Sequence, residues 1–221
     1  MARQLVFVHI PKTAGLSLHS ALEKIYGKEA TLRVGNEDEL QQLRKLPDHQ
    51  VIDKTFLSGH FFYGDIKNRC HPDAVLVSVL RDPIKRILSN YNYITNWEAH
   101  PLYKQTVQQS FSDHVYANRN FLRGLCCRHL SGVPQADAAI EVISARYTLV
   151  GTTECLPAFG AALSQIIGEN IVQERTNVSS GQGPKIDLSS ELCAALLELT
   201  EEDRKLLAFV KALPDELFKR V

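Results

Sequence analysis

An apolar run that passes directly into a glycine-containing turn constrains this chain more than any other feature. The run Leu5 to His9 has the content of a buried strand, and the segment Pro11 to Gly15 (PKTAG) follows at once. Apolar residues then recur at helical spacing from Leu16 to Tyr26, and Gly27 is a plausible C-terminal stop. The sequence predicts a strand, a tight turn and a helix that begins at that turn.

A strand–turn–helix unit of this kind favours binding of a phosphate or sulfate group. The first backbone N–H groups of a helix have no intrahelical partner and carry the positive end of its dipole. Gly15 lets the backbone approach an anion, Thr13 and Ser17 can add hydroxyl donors, and Lys12 supplies a mobile positive charge. The Walker A pattern is absent, because the lysine precedes the glycine. An ordinary connection with a solvated lysine is the alternative.

Further strand-like runs at Thr55 to Leu57, Ala74 to Leu80 and Thr148 to Val150 alternate with segments of helical periodicity. This alternation predicts an α/β fold with a central, mainly parallel sheet flanked by helices. The C-terminal quarter is predicted to be mostly helical. One of its helices is expected to begin at a capping box formed by Thr200 and Asp203.

Composition narrows the class of protein further. At 221 residues and 44% hydrophobic content, we expect one domain over residues 1–221. The 25 Lys and Arg balance the 25 Asp and Glu, which argues against nucleic acid or an anionic membrane as partner. No apolar stretch approaches the roughly 20 residues that span a bilayer. Five cysteines without CxxC pairs or zinc-site spacing favour reduced thiols and a cytoplasmic location.

A second candidate anion motif follows the run that ends at Leu80. Arg81 stands at the carboxyl end of this strand, where open α/β sheets bind ligands, and Pro83 suits the first position of a helix. Ser89 lies two turns into that helix, so Arg81 and Ser89 could reach one phosphate. In the alternative interpretation, Arg81 and Arg86 are a pair of surface charges.

The segments HIPKTAG at 9–15 and RDPIKR at 81–86, followed by Ser89, resemble a known family. They are similar to the carbohydrate sulfotransferases that use 3′-phosphoadenosine 5′-phosphosulfate (PAPS) and are related to heparan sulfate 2-O-sulfotransferase. The resemblance implies a three-layer, P-loop-like fold in which the first loop holds the 5′-phosphosulfate and the arginine and serine hold the 3′-phosphate. The implied donor-binding residues are Pro11, Lys12, Thr13, Ala14, Gly15, Leu16, Ser17, Arg81 and Ser89. Leu16 departs from the threonine that is common in the family.

His60 is the candidate general base. An attacking alcohol must lose its proton, and histidine is the usual acceptor near neutral pH. His60 follows Gly59 in a segment that resembles the family's catalytic histidine segment. Lys12 is the second candidate catalytic residue, stabilising the departing bisphosphate (PAP). His9 competes with His60 as base, although its place before the loop favours a role in shaping that loop.

Two further regions are candidates for ligand contact. The turn-rich segment Thr176 to Lys185 occupies the position where related enzymes close over the nucleotide, and an ordinary surface loop is the alternative. Its candidate donor contacts are Ser179, Ser180, Gly181 and Lys185. The acceptor is expected along Tyr91 to His129, where aromatic and arginine side chains could stack on sugars and pair with acidic groups. They are Tyr91, Tyr93, Trp97, Tyr103, Arg119, Arg123 and Arg128, for which packing or solvation is the alternative.

Together these features predict a sulfotransferase that moves a sulfuryl group from PAPS to a hydroxyl of a glycan or small alcohol and releases PAP. No required metal is expected, since no carboxylate or His/Cys set has metal-ligand spacing. The missing membrane anchor of the related Golgi enzymes implies either a soluble, prokaryote-like member or a trimmed chain, and the start of the sequence favours the first. A P-loop-type kinase or NTPase and a catalytically silent nucleotide-binding module are the alternatives, and the sequence does not indicate the oligomeric state.

Overall fold

A mainly parallel sheet with helices on both faces forms the centre of the molecule. The computed structural model describes residues 3–171 and 189–220, and these contain one six-stranded sheet. The strands are β1 (Leu5–Val8), β2 (Thr31–Val34), β3 (Phe56–Gly59), β4 (Val75–Leu80), β5 (Tyr147–Thr152) and β6 (Phe218–Lys219). Their order is β2-β3-β1-β4-β5-β6, and only the β5–β6 pair is antiparallel. The predicted fold class is confirmed.

The helices connect the parallel strands and cover the sheet. In chain order they are α1 (Gly15–Tyr26), α2 (Glu37–Lys45), α3 (Asp48–Ile52), α4 (Tyr63–Ile66), α5 (Pro83–Thr95), α6 (Tyr103–Thr106), α7 (Phe111–Ala117), α8 (Arg119–Leu122), α9 (Leu125–Ser131), α10 (Ala136–Arg146), α11 (Leu156–Ile167), α12 (Ser190–Leu199) and α13 (Glu201–Lys211). The mostly helical C-terminal region is confirmed in α12 and α13. Within the described ranges, no helix has the length and apolar character that crossing a bilayer requires.

Apolar side chains on both faces of the sheet explain why its inner strands are uninterrupted runs of buried residues. Val6 and Val8 of β1 join a cluster with residues of α2, α9, α10 and α13. Leu5 and Phe7 point to the other face and pack with residues of α1 and α11. Strands buried on both faces lose the polar alternation of half-exposed strands. Because helices cover both faces of the sheet, the ends of its strands are the part that a ligand can reach.

The capping box predicted at the start of α13 is wrong. The Thr200 hydroxyl donates to the Leu196 carbonyl at 2.7 Å instead of capping the helix. Asp203 is only 2% exposed, and it accepts a hydrogen bond from the Cys127 backbone N–H at 3.0 Å. The carboxylate therefore joins α13 to α9, and the local pattern of a cap is overridden by a contact between distant segments.

Gly59 lies at the end of β3 in a position that a side chain cannot occupy. The N–H of His60 donates to the Val34 carbonyl of β2 at 2.8 Å. A Cβ at residue 59 would lie 2.1 Å from that same Val34 oxygen, far inside van der Waals contact. The absence of a side chain at Gly59 thus allows the chain to leave β3 and place His60 at the carboxyl edge of the sheet.

Substituting Gly59→Ala should destabilise the protein by about 1–3 kcal/mol, because a backbone carbonyl cannot move away from the added methyl as a side chain could. Urea unfolding followed by circular dichroism measures the change. Gly64→Ala is the matched control, since a Cβ at that helical position meets nothing within 4 Å. It should leave stability unchanged or raise it by up to about 1 kcal/mol. Equal effects of the two substitutions would contradict this packing.

Candidate functional site

The loop between β1 and α1 holds two residues in the left-handed region of backbone conformation. The φ angles of Lys12 and Ala14 are 70° and 61°. Such conformations cost of order 1–3 kcal/mol for residues other than glycine and are concentrated at functional sites. Thr13 lies between them, fully buried, and its hydroxyl donates to the Ile10 carbonyl at 2.9 Å. The Thr13 hydroxyl, which the sequence offered as an anion donor, instead holds the loop together.

The start of α1 presents backbone N–H groups that have no partner among the described residues. Ala14 precedes the helix and no side chain caps it. The N–H groups of Ala14, Gly15 and Leu16 donate to no acceptor in residues 3–171 or 189–220. Gly15 is required for a reason beyond ligand approach, because a Cβ there would lie 2.3 Å from atoms of the His9 ring. The loop is thus a cradle of donors packed on His9.

Lys12 and Arg81 meet at the carboxyl ends of β1 and β4. Arg81 Nη1 donates to the Lys12 backbone carbonyl at 3.1 Å. Lys12 Nζ lies 3.8 Å from the ring centroid of Tyr93, on α5. Partial burial, with the nearby charge of Arg81, lowers the pKa of the Lys12 ammonium. The two anion motifs predicted from separate parts of the sequence therefore form one positively charged site.

Two contacts hold the second motif in place. The Ser78 hydroxyl on β4 donates to the Val8 carbonyl at 2.7 Å, which joins β4 to β1 beside the site. Asp82 then caps α5 by accepting from the Lys85 N–H at 2.8 Å, with Pro83 at the first helical turn as predicted. Ser89 lies partly buried further along the same helix. Helix α5 therefore extends from the candidate anion site itself.

His60 is held in one orientation and one tautomer. Its Nδ1 lies 2.8 Å from the His9 backbone carbonyl oxygen, which can only accept, so Nδ1 carries the proton. In the neutral ring Nε2 then has an available lone pair. Burial lowers the pKa of His60, and the charges of Arg33 and Lys12 act in the same direction, against the His9 carbonyl and Glu39. His60 is therefore a neutral imidazole at neutral pH.

Two neighbouring histidines are also neutral, and both have packing roles. The His9 ring stacks on Phe7 with centroids 5.2 Å apart, and burial holds its pKa well below the usual value. His129 is buried, with Nδ1 3.1 Å from the Phe61 carbonyl oxygen. Its pKa is lowered to about 3, chiefly by burial. His9 thus shapes the loop, as the sequence indicated.

Arg86, the second arginine of the RDPIKR segment, is not a surface charge, and that interpretation is wrong for this residue. It is 2% exposed, and its Nε and Nη2 have no hydrogen-bond partner in the described parts of the chain. Burial raises the pKa of the Cys126 thiol and lowers the pKa of His129, and the charge of Arg86 acts against the first effect and with the second. Arg86 is among the buried residues of α5, but its residue type gave no signal of that burial.

The candidate acceptor residues divide into two groups. Tyr91 is buried and donates to the Gln109 carbonyl at 2.7 Å, Arg123 pairs with Glu198 at 2.8 Å, and Arg128 donates to the Phe121 carbonyl. These contacts fit packing and surface pairing. Tyr93 and Trp97 are exposed instead, and Tyr93 touches Lys12. The candidate donor contacts Ser179, Ser180, Gly181 and Lys185 lie outside the described residues.

An α/β sheet whose strand ends join a helix N-terminus to a lysine and an arginine has the groups that suit a multiply charged anion. Comparison with known proteins identifies the family. The profile of the sulfotransferase family matches residues 2–127, more than half of the chain. This chain belongs to the sulfotransferase family.

Other comparisons show more distant similarity. The crystal structure of mouse sulfotransferase SULT7A1 complexed with PAP is 11% identical, with a TM-score of 0.44. The match covers 95% of this chain and 83% of the mouse chain. No curated protein sequence matches this chain significantly.

The left-handed conformation at Ala14 predicts opposite effects of two substitutions. Ala14→Gly should keep stability unchanged or raise it by up to about 1 kcal/mol, because glycine adopts positive φ without steric cost. Ala14→Val should lower the free energy of unfolding by about 1–2 kcal/mol, because a β-branched residue is disfavoured there. Thermal and urea unfolding measure both. A valine variant as stable as the glycine variant would show that residue 14 does not adopt this conformation.

Proposed function

We propose that this sulfotransferase takes its sulfuryl group from PAPS and places it on a hydroxyl of a carbohydrate acceptor. The observation that carries the proposal is the contact between Arg81 and the Lys12 carbonyl. It brings two separate cationic motifs to one edge of the sheet, which suits a donor with two separate anionic groups. The resemblance to the enzymes related to heparan sulfate 2-O-sulfotransferase supports a carbohydrate acceptor.

In this proposal the donor lies across the two strand ends. The N–H groups of Ala14, Gly15 and Leu16, together with the Lys12 ammonium, bind the 5′-phosphosulfate, and Ser17 adds a hydroxyl. Backbone amides at the N-terminus of a helix that no side chain of residues 3–171 or 189–220 caps suit such a group. The Arg81 guanidinium and the Ser89 hydroxyl bind the 3′-phosphate. The further donor contacts predicted from the sequence are Ser179, Ser180, Gly181 and Lys185.

In the proposed mechanism of sulfuryl transfer, His60 acts as the general base. His60 Nε2 accepts the proton of the acceptor hydroxyl as its oxygen forms a bond to sulfur. The bond between sulfur and the bridging oxygen of the donor breaks in line, and PAP leaves. Lys12 stabilises the negative charge that grows on that oxygen. The His9 carbonyl, already bonded to Nδ1–H, stabilises the imidazolium that forms.

Two observations weigh against the alternative functions. A P-loop kinase or NTPase would need a carboxylate for its metal near the second strand, yet Asp82 caps α5 through the Lys85 N–H. A silent nucleotide-binding module would not need a histidine and a lysine together, yet the charge of Lys12 acts on the His60 ring. The presence of both residues therefore favours transfer chemistry.

Substitution of Arg81 tests the assignment of the 3′-phosphate. Arg81→Ala should weaken PAP binding by about 10- to 100-fold, the value of a charge-assisted hydrogen bond. Binding of AMP, which has no 3′-phosphate, should change little. Isothermal titration calorimetry of both nucleotides measures the difference. An equal loss of affinity for PAP and AMP would show that Arg81 only supports the Lys12 carbonyl.

Substitution of His60 tests the base. His60→Ala should lower kcat by a factor of about 10² to 10⁴ while the affinity for PAP stays near that of the wild type. Transfer of labelled sulfuryl from PAPS to a panel of glycans and small alcohols measures the rate. His49→Ala, at an exposed histidine in α3, is the control and should be fully active. Near-normal turnover by His60→Ala would contradict the assignment.

The pH dependence of transfer should report the lowered pKa of His60. Burial disfavours the charged ring, so the base is available down to a lower pH than an exposed histidine. The rate should be level from pH 7 to 8 and should fall on acidification with a midpoint below 6.5. The pH profile of kcat/KM for the donor, which reports groups of the free enzyme, measures this. A midpoint above 7 would mean that another group limits the reaction.

A further inference from the structure

Two exposed aromatic rings and one partly buried histidine ring come together beside the loop of the proposed donor site. Tyr93 lies near the end of α5 and Trp97 lies two residues beyond it, and their side chains are 42% and 45% exposed. Their ring centroids are 5.4 Å apart with the planes tilted by 40°. His100 stands edge-on to both, at 5.6 Å from Tyr93 and 5.4 Å from Trp97. We call these three side chains the aromatic corner.

The aromatic corner adjoins the proposed catalytic lysine. Lys12 Nζ lies over the Tyr93 ring at 3.8 Å, and the charge of Lys12 contributes to lowering the pKa of His100, after burial. A molecule resting on these rings would therefore lie next to the group proposed to stabilise the departing oxygen. Exposed aromatic rings that lie together form an apolar patch, and the largest such patches on proteins are often functional.

His100 adds a polar group of defined character to the corner. The Leu102 N–H donates to His100 Nδ1 at 3.1 Å, so the proton of the neutral ring is on Nε2. Nε2–H can donate to a hydroxyl or ring oxygen. The neighbouring charges of Lys12 and Arg81 disfavour a cationic ligand here, which argues against the corner as a cage for ammonium groups.

From this geometry we infer that the aromatic corner is the acceptor platform, and that it binds a flat-faced, six-membered ring bearing a hydroxyl. The inference rests on the proposed function, because it assigns the acceptor side of that site. Tilted aromatic faces suit stacking of such a ring, and the His100 edge suits one hydrogen bond to it. A pyranose and a phenol share this chemistry. An acyclic alcohol has no face to stack.

Trp97 is the only tryptophan of the chain, so its fluorescence reports this surface directly. The protein, saturated with PAP, is titrated with methyl β-glucopyranoside, with phenol and with acyclic sorbitol. A saturable change in emission is expected with at least one ring compound and none with sorbitol. A response to the pyranoside alone indicates a carbohydrate acceptor, and a response to phenol alone indicates an aromatic alcohol.

Variants test whether the ring compound binds at Trp97 itself. Saturation-transfer NMR, which needs no tryptophan, should show ring binding weakened roughly tenfold by Trp97→Ala and largely recovered by Trp97→Phe. Leu197→Ala is the matched control, since Leu197 on α12 is also 45% exposed, and it should change nothing. PAP affinity, from calorimetry, is the second readout.

The two readouts separate the two proposals. If the wild type binds PAP but no ring compound changes Trp97 emission, or if Trp97→Ala binds the ring as tightly as the wild type, the aromatic corner is not the acceptor platform and the proposed donor site stands. If the wild type fails to bind PAP, the proposed function itself is wrong.

Discussion

The parallel pairing of β1 with β4 is the constraint on which the rest of the site depends. Each strand is followed by a turn and a helix, so their pairing in register brings two helix N-termini to one edge of the sheet. Two side-chain hydrogen bonds add to this backbone pairing. Ser78 joins β4 to the Val8 carbonyl, and Arg81 continues the contact to the Lys12 carbonyl. Without this pairing, Lys12 and Arg81 would be isolated surface charges.

His9 connects the second half of the site to the first. Its N–H donates to the Gly59 carbonyl, its own carbonyl accepts from His60 Nδ1, and its ring fills the space that Gly15 leaves. One residue thus joins β1, β3 and α1. The backbone of the anion loop and the orientation of His60 are set by the same residue, which explains why a strained loop and an oriented imidazole occur together.

The parts of the site that depend on local spacing could be predicted from the sequence. The anion loop, Arg81 and the α5 start at Pro83 each follow a strand directly, and the structure places them together. Features that depend on contacts between distant parts of the chain could not be predicted from the sequence. Strand Thr31–Val34 has one buried residue in four and forms because β3 pairs with it. The positive φ of Lys12 and Ala14 has no signal in residue type, and the burial of Arg86 depends on packing against other helices.

The central claim is that the two strand ends hold one adenosine nucleotide with phosphates at both its 3′ and 5′ positions. Calorimetric titration of the wild-type chain with PAP and, separately, with ATP and magnesium tests this claim most directly. The account predicts a single site that binds PAP at least tenfold more tightly than magnesium ATP. Tighter binding of magnesium ATP, or no binding of PAP, would contradict it.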